Sequence, residues 1–283
     1  MKVIDDQAIK LGREAERRRG ARALHLVPIK VLADLNRGRC ESVNLMEWLA
    51  IDMHALARHV FADRTIVPWG TQVLERIPDL REQGITRRLS VIGEAICDVI
   101  ERSDHLVLTY LSRHKSDIVR QWAVYAVNAL SNIELRQRLE VTRPFAADSN
   151  MSVRECAWMA FRPHLARNVS AGLEQLIGWA LDPNPNIRRF AIEVSRPRSV
   201  WGQHIPILKS DPGLALPLLS AVKSDGSSYV RIALGNWLHD AWKSSPGWVE
   251  SLCLDWSRSA TEYTRWVVRR ALRTKYRRET ERR

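Results

Sequence analysis

The sequence lacks the patterns that mark a membrane span, a secretion signal or a bound nucleotide. Its longest apolar runs, such as LALPLLSAV from Leu214 to Val222, are far shorter than the roughly 20 residues of a membrane-spanning helix. The first segment, MKVIDDQAIK, has acids where a signal peptide needs an apolar core. Neither a G-x-x-x-x-G-K-[ST] loop nor a G-x-G-x-x-G turn occurs. These absences predict a cytoplasmic protein with no nucleotide cofactor.

Cysteine and histidine are too scattered along the chain to suggest a metal site. The sequence has no C-x-x-C pair, and its eight histidines form no ligand spacing such as H-E-x-x-H. The four cysteines are Cys40, Cys97, Cys156 and Cys253. We interpret them as reduced and structural, as is usual inside cells, and we expect neither a metal nor another cofactor.

Acidic residues are outnumbered by basic ones. The 283 residues contain 44 Lys and Arg against 32 Asp and Glu, which gives a formal net charge of +12 spread along the chain. Such an excess favours an anionic partner, and nucleic acid is the commonest of these. A basic surface that merely keeps the protein soluble is the alternative at this point.

An internal repeat is the most informative feature of the chain. Segments that join a β-branched residue, an arginine and an apolar helical stripe recur at DIVRQWAVYAV, MSVRECAWMAF, PNIRRFAIEVS and SYVRIALGNWL. A period near 34 residues with two helices per unit is typical of an all-α solenoid. The repeat arginines are Arg120, Arg154, Arg188 and Arg231, with an earlier candidate at Arg87 and a weaker copy at Arg265. We interpret the four main arginines as structural, each bonded to a neighbouring turn.

We divide the chain into an N-terminal helical region, residues 1–75, and repeats over residues 76–283. The two parts are expected to form one continuous solenoid domain. Its last residues, KYRRETERR, are predicted to be a frayed basic tail.

One repeat is longer than the others. The interval from Arg188 to Arg231 exceeds the usual spacing by nine residues, and the extra length falls in RPRSVWGQHIP, from Arg196 to Pro206. Insertions in solenoids usually form loops on one face, and that face is often the binding face. The insertion is therefore the first candidate site.

Three acids lie on repeat helices where the apolar stripe does not require them. Each shares a helical face with a cation: Glu155 with Arg162, Glu193 with Arg189 and Arg196, and Asp240 with Lys243. Stacked repeats bring equivalent helices side by side, so the three acids are expected to line one groove. Exposed salt bridges of little energetic value are the alternative interpretation.

Tryptophan is unusually frequent, with 11 in the chain. Trp122, Trp158, Trp179 and Trp237 fall within helical copies, where they can serve as core residues. Trp201 differs because it follows the Arg-Pro-Arg segment, outside any regular stripe. An aromatic face beside a carboxylate suits a planar cationic ligand through cation–π attraction. The alternative is a ring that fills a gap between repeats.

The segments VRECAWMAFRP, NIRRFAIEVSRPRSVWG, DGSSYVRIALGNWLHDAWKSSP and RWVVRRALRT together resemble the HEAT-like-repeat DNA glycosylases, also called DNA alkylation repair enzymes. The likeness is closer to the AlkC type than to the AlkD type. It covers Arg87 to Thr274, and its most specific part is the R-R-x-A-x-E-x-x-R-P-R-x-x-W pattern. The resemblance implies a right-handed α-α superhelix of HEAT-like repeats.

The resemblance also implies an activity, which is hydrolysis of the N-glycosidic bond of cationic alkylated bases, notably 3-methyladenine and 3-methylcytosine. The partner would be double-stranded DNA containing such bases, bound by a monomer associated with the nucleoid. Carried onto matching positions, the catalytic acids would be Asp240, Glu155 and Glu193. The expected lesion contacts are Trp201 and Trp158, and the expected DNA-binding residues are Arg189, Arg196, Arg198, Lys243, Arg269 and Arg270.

One departure and one rival function qualify this expectation. The family commonly reads N-H-L-N-D before its last acid, whereas this chain reads Asn236-Trp237-Leu238-His239-Asp240, so the residues around the expected catalytic acid differ. The rival is a helical-repeat protein that binds damaged or branched DNA without cleaving it. Retained acids favour the enzyme, because carboxylates with no task repel phosphate. A protein-binding scaffold would leave the +12 charge without a clear purpose.

Overall fold

The computed structural model describes residues 18–80, 83–100 and 106–281, and every regular element within them is a helix. Short 3-10 helices cover Leu24–Leu26 and Pro212–Ala215. The α-helices are α1 Ile29–Asn36, α2 Leu45–Ala50, α3 Met53–Phe61, α4 Val67–Arg76, α5 Ile85–Ile100, α6 Leu106–Ser112, α7 Asp117–Ala129, α8 Leu135–Ala146, α9 Met151–Arg167, α10 Val169–Ala180, α11 Pro185–Val194, α12 Pro206–Ser210, α13 Leu216–Ala221, α14 Ser228–Trp242, α15 Pro246–Arg258, α16 Glu262–Ala271 and α17 Arg273–Glu281. The prediction of an all-α fold is confirmed. None of the described helices is both long and apolar enough to cross a membrane.

The described residues form two compact units. The first holds residues up to Ile133 together with Asp148–Ala157, and the second holds Glu134–Ala147 with the residues from Trp158 onwards. The division into residues 1–75 and 76–283, and their continuity as one domain, stay predictions.

The repeat arginines bond the turn that precedes their own helix. In each main copy the Nη1 group donates to the carbonyl oxygens six and five residues earlier. Arg120 donates to His114 and Lys115 (2.8 and 3.2 Å), Arg154 to Asp148 and Ser149 (2.6 and 2.8 Å), Arg188 to Asp182 and Pro183 (2.8 and 3.0 Å), and Arg231 to Asp225 and Gly226 (3.0 and 2.6 Å). The structural interpretation of the four arginines is confirmed.

Two of these arginines also reach the turn of the following copy. Arg188 pairs both oxygens of Asp225 with its Nε and Nη2 groups, at 2.6 and 2.9 Å. Arg120 pairs Asp148 in the same way, at 2.9 and 3.1 Å. One side chain therefore fixes its own turn and the next, which keeps successive helix pairs in register.

Tryptophans in the helical copies are core residues. In the first unit Trp122 is fully buried and stacks on Phe61, with ring centroids 6.0 Å apart. In the second unit Trp237 is fully buried, and its Nε1 donates to the Ser195 carbonyl at 3.0 Å. Trp179 packs against Phe190 with centroids 4.9 Å apart. These rings build the interior of each unit and are not available to a ligand.

The helical pattern is interrupted where the sequence predicts it. Helix α11 ends at Val194, two residues before Arg196, and residues 195–205 contain no helix before α12 begins at Pro206. The other connections between paired helices of the second unit are short: one residue joins α9 to α10, and three join α14 to α15. The insertion is therefore a loop within an otherwise regular array of helices.

The predicted frayed tail is wrong for Lys275–Glu281, because α17 runs from Arg273 to Glu281. The segment contains no glycine or proline, and its lysine, arginine and glutamate residues favour helix. Lys275 also donates to Glu250 of α15 at 2.7 Å, which ties α17 to the fold. Residues 282–283 lie outside the described part of the chain.

Replacing Arg188 by alanine should destabilise the second unit. Asp225 is 5 % exposed at its side chain, and the change leaves this buried carboxylate without its cation. We expect the free energy of unfolding to fall by about 3 kcal/mol in urea denaturation, as is typical when one partner of a buried pair is removed.

The matched control is Arg265→Ala. Arg265 occupies the same repeat position, but it is exposed and its Nη1 bonds the Ala260 carbonyl at 2.8 Å. Its loss should cost below about 1 kcal/mol. Equal losses in the two variants would contradict the role assigned to the Asp225 pair.

Candidate functional site

An ion-pair network lies beside the insertion loop in the second unit. It contains Arg189, Glu193, Arg196, Asp240 and Lys243, which we call the acid–arginine network. Arg196 donates to Glu193 Oε2 at 3.0 Å and, through Nε and Nη2, to Asp240 Oδ2 at 2.9 and 2.6 Å. Arg189 lies 3.5 Å from Glu193 Oε1, and Lys243 donates to Asp240 Oδ1 at 3.1 Å. The structure thus brings together five residues that the sequence singled out.

Both acids of the network are buried. The side chains of Glu193 and Asp240 are 5 % and 6 % exposed, so neither is an exposed surface salt bridge. Burial works against the charge of Arg196 and lowers its pKa, but the Glu193 and Asp240 carboxylates outweigh burial, and the pKa ends above its ordinary value. Arg196 therefore stays charged between two carboxylates.

The composition of the network leaves it with an excess positive charge. Three cations face two carboxylates, and each of the four carboxylate oxygens lies within 3.5 Å of a cationic nitrogen. Two properties follow from this arrangement. The carboxylates are fixed in position and ready to stabilise a nearby positive charge, and the outer cations can attract an anion.

A buried arginine fixes both ends of the insertion loop. Arg162 of α9 is fully buried, and its guanidinium donates to three backbone carbonyls, those of Val194 (2.7 Å), Arg196 (2.5 Å) and Gln203 (2.7 Å). Burial and the nearby Arg196 charge lower the pKa of Arg162 to about 10. Because Arg162 holds the backbone of Arg196, it positions the residue that pairs both acids.

The sequence pattern indicates Arg162 only as a partner for Glu155 and does not predict its contacts with the loop. Its targets are backbone carbonyls 32 to 41 residues away, and carbonyls leave no trace in side-chain patterns. One signal was present in the sequence, because Arg162 follows the apolar run AWMAF directly. An arginine next to a buried stripe must find several acceptors.

The tip of the insertion loop presents apolar side chains to solvent. Val200 is 88 % exposed and Trp201 is 53 % exposed. The Ser199 hydroxyl accepts hydrogen bonds from the amides of Trp201 (3.2 Å) and Gly202 (3.1 Å), which fixes the turn. Trp201 therefore does not fill an interior gap.

The remaining predicted residues have varied surroundings. Trp158 is 4 % exposed, which leaves little of its ring for a ligand. Arg198 donates to the Ser244 hydroxyl at 2.6 Å, and Arg269 is exposed. Glu155 is half-buried and belongs to the first unit, and its catalytic role stays a prediction.

Arg270 lies across α14 rather than in the network. Its Nε donates to Asn236 Oδ1 at 3.2 Å, and its guanidinium stands 5.5 Å from the centroid of the Trp266 ring. A Cβ at Gly235 would lie 2.8 Å from the Arg270 side chain, so glycine is what allows this close approach.

Sequence reasoning also missed an aromatic partner in the network. The guanidinium of Arg189 stands 4.2 Å from the centroid of the Tyr229 ring. The tyrosine comes two residues before Arg231 of the next copy, a position that self-comparison alone did not mark as functional. Among the described residues, no group of three His, Cys, Asp or Glu side chains is arranged to hold a metal ion.

Truncating Trp201 should leave the stability of the fold almost unchanged. Because the ring is 53 % exposed, we expect Trp201→Ala to shift the free energy of unfolding by less than about 1 kcal/mol. The control is Trp237→Ala, where loss of a fully buried ring should cost roughly 3–5 kcal/mol. Thermal unfolding of both variants checks this, and a comparable loss in Trp201→Ala would make that ring a packing residue.

Comparisons with known proteins agree on the type of fold. The alkylpurine DNA glycosylase AlkC of Pseudomonas fluorescens, solved bound to DNA containing an abasic site analog, superposes with a TM-score of 0.65 and 23 % identity, over 90 % of this chain and 65 % of that one. AlkD2 of Streptococcus mutans superposes with a TM-score of 0.54 and 24 % identity, over 72 % and 97 % of the two chains. The smu.31 protein of Streptococcus mutans UA159 gives 0.51 and 21 %, over 78 % and 98 %.

The sequence comparisons cover a smaller part of the chain than the structural ones. No protein-family model matches the chain. The uncharacterized protein YhaZ of Bacillus subtilis (strain 168) is 38 % identical over 115 residues, which are 41 % of this chain and 32 % of YhaZ. The match thus spans about a third of YhaZ, and the chain spans just under two thirds of AlkC. AlkC superposes with a higher TM-score than AlkD2, 0.65 against 0.54. This chain therefore has the helical-repeat fold of these two glycosylases, and its greater similarity to AlkC agrees with the sequence resemblance.

Proposed function

We propose that the protein is a DNA glycosylase that releases cationic N-alkylated bases from double-stranded DNA. The observation that carries the proposal is the buried pair of Glu193 and Asp240, both held by Arg196 at the start of the loop that carries the exposed ring of Trp201. These residues stand in a fold shared with AlkC, whose structure is described as that of an alkylpurine DNA glycosylase bound to DNA.

Departure of the alkylated base needs little assistance from the protein. An alkylated base that carries a positive charge is already a good leaving group. The charge that remains develops on the sugar as an oxocarbenium-like cation, which a fixed carboxylate stabilises electrostatically. Asp240 and Glu193 supply carboxylates whose positions are set by ion pairs, so no reorganisation is needed during the reaction. One of the two also orients or deprotonates the attacking water.

The aromatic ring of the loop supplies selectivity. Trp201 is exposed on a turn that Ser199 fixes, and an aromatic face attracts a cationic base more strongly than its neutral parent. This favours 3-methyladenine and 3-methylcytosine as substrates. Trp158 stays a predicted lesion contact, of which 4 % is exposed in the free protein.

Cations near the site are proposed to hold the DNA backbone. Arg189 and Lys243 form the outer ends of the acid–arginine network, and Arg198 lies on the insertion loop. Arg269 and Arg270, on α16, extend the basic surface towards the C-terminus. Phosphate contacts of this kind fix position without reading sequence.

Water is the proposed nucleophile, and the enzyme is proposed to be monofunctional. Lys243 donates to the buried Asp240 carboxylate at 3.1 Å, so its side chain is engaged in an ion pair rather than free to attack the sugar. We propose that the protein acts as a monomer in the cytoplasm, associated with the nucleoid, and needs no cofactor.

A second function is favoured by one specific observation. Every oxygen of Glu193 and Asp240 already has a cationic partner, so the acids can also be explained as structural counter-ions. In that case the protein would bind damaged or branched DNA without cleaving it. Incubation with methylated DNA followed by mass analysis of released bases separates the two functions, because free methylated base appears only with the enzyme.

Asp240→Asn and Glu155→Gln should each reduce base release. Losing a preorganised carboxylate at the reacting centre typically costs about a hundredfold or more in rate. DNA binding should stay intact or become slightly tighter, because a charge that repels phosphate is removed. Single-turnover release of 3-methyladenine and fluorescence anisotropy with duplex DNA measure the two effects.

The control is Asp255→Asn on α15, where the side chain is 66 % exposed and pairs only at 3.7 Å with Arg258. Its rate should match that of the unaltered protein. Full activity in both Asp240→Asn and Glu155→Gln would remove these residues from the catalytic assignment.

DNA affinity should fall steeply as salt rises. Each phosphate that the protein neutralises releases counterions and adds roughly 0.9 to the slope of log affinity against log salt. Arg269→Ala should reduce this slope by about 1 if the exposed guanidinium contacts a phosphate. Titrations from low to physiological salt measure it, and affinity that does not respond to salt would point to the scaffold function instead.

A further inference from the structure

Three basic side chains converge at the base of the insertion loop. They are Arg198, His204 and Lys209, which we call the basic cluster. The amide of Ile205 donates to the Pro197 carbonyl at 3.1 Å and closes the loop. Arg198 and His204 are the residues immediately inside this bond, one on each side of the loop, so their backbones are brought together.

The turn after α14 fixes two members of the cluster. Arg198 Nη2 donates to the Ser244 hydroxyl at 2.6 Å, and the Ser245 hydroxyl donates to the Lys209 carbonyl at 2.9 Å. Adjacent serines therefore anchor the loop and helix α12 to the same turn. Because the Ser244 oxygen accepts from Arg198, its own proton is left to donate to a ligand.

Lys209 and His204 form a close polar contact within the basic cluster. Lys209 Nζ lies 2.7 Å from His204 Nδ1. An ammonium group has donors only, so Nδ1 is the unprotonated acceptor and the ring is neutral. The imidazole thus orients the ammonium group, whose two other protons stay available.

The charges that act most strongly on His204 are positive. Slight burial lowers its pKa, and so do the charges of Lys209, Arg198 and Arg162, while a bond to the Ser199 backbone acts in the opposite direction. The three charged groups that act most strongly on the ring are therefore all cations. The acid–arginine network differs in this respect, because there each cation has an acid within reach.

We propose that Arg198 and Lys209, with Ser244 and with His204 as the orienting ring, bind one phosphate group of the DNA backbone. The proposal rests on the proposed function for the source of the phosphate. It goes beyond that function in assigning Lys209, His204 and Ser244, none of which was singled out by the sequence. A phosphodiester presents two unesterified oxygens, which match a guanidinium and an ammonium group held on separate elements.

The position of the cluster favours DNA over a free anion. The same loop carries Val200 and Trp201 at its tip, 88 % and 53 % exposed. A surface with apolar groups at one end and cations at the other matches a nucleic acid, in which bases and phosphates are separated in the same way. The cluster would hold the backbone while the tip contacts the bases.

The first test is the salt dependence of duplex binding by Lys209→Ala. If Lys209 contacts a phosphate, the slope of log affinity against log salt should fall by about 1, equally for different sequences. The matched control is Lys223→Ala, an exposed lysine before the opposite end of α14 and so on the order of 20 Å away. An unchanged slope in Lys209→Ala, with normal base release, would overturn the inference and leave the proposed function standing.

The second test follows His204 by NMR and does not depend on catalysis. Adding inorganic phosphate, and separately duplex DNA, should raise the pKa of the His204 ring, because a nearby anion favours the imidazolium form. The rise should disappear in Lys209→Ala and persist in Lys223→Ala. If neither probe moves the His204 resonances, the site does not exist. If inorganic phosphate moves them while no base is released from methylated DNA, the anion site stands and the proposed function fails.

Discussion

Two carboxylates cannot remain charged and buried side by side without a cation between them, and Arg196 is that cation. It bonds both Glu193 and Asp240, which lie on different helices and are 5 % and 6 % exposed. Leaving either acid unpaired in this setting would cost several kcal/mol. The backbone of Arg196 is held in turn by Arg162. The geometry of the site thus depends on a fully buried arginine, Arg162, that supports a half-buried one, Arg196.

Arginine performs distinct tasks in this molecule, and the surroundings of each guanidinium decide between them. Arg188 bonds backbone carbonyls and an aspartate of the next turn, so it maintains the repeat. Arg162 bonds three carbonyls and no acid, so it shapes a loop. Arg198 and Arg269 reach the surface, where a phosphate can meet them. A count of basic residues therefore overstates how many are available to bind a polyanion such as DNA.

Local patterns in the sequence predict much of the fold and part of the candidate site. The repeat arginines marked the helix pairs, and the spacing of Glu193 to Arg196 within one chain segment predicted their pairing. The bond from Arg196 to Asp240 joins residues 44 apart, and only the stacking of α11 and α14 creates it. The carbonyls that Arg162 selects are equally invisible to side-chain patterns. The helix of α17 was missed because its charge suggested a tail, although its composition favours helix.

The bond between Ile205 and Pro197 has a consequence for how this protein can be altered. It closes the insertion loop at its base, so residues 198–204 form a short segment bounded by fixed ends. The entropy cost of such a closed loop changes slowly with its length. The segment can therefore be exchanged as a cassette, with libraries of tips grafted between the same two anchor points. Loop variants that keep Arg162, Pro197 and Ile205 would change the contacts of the loop without altering the helical repeats.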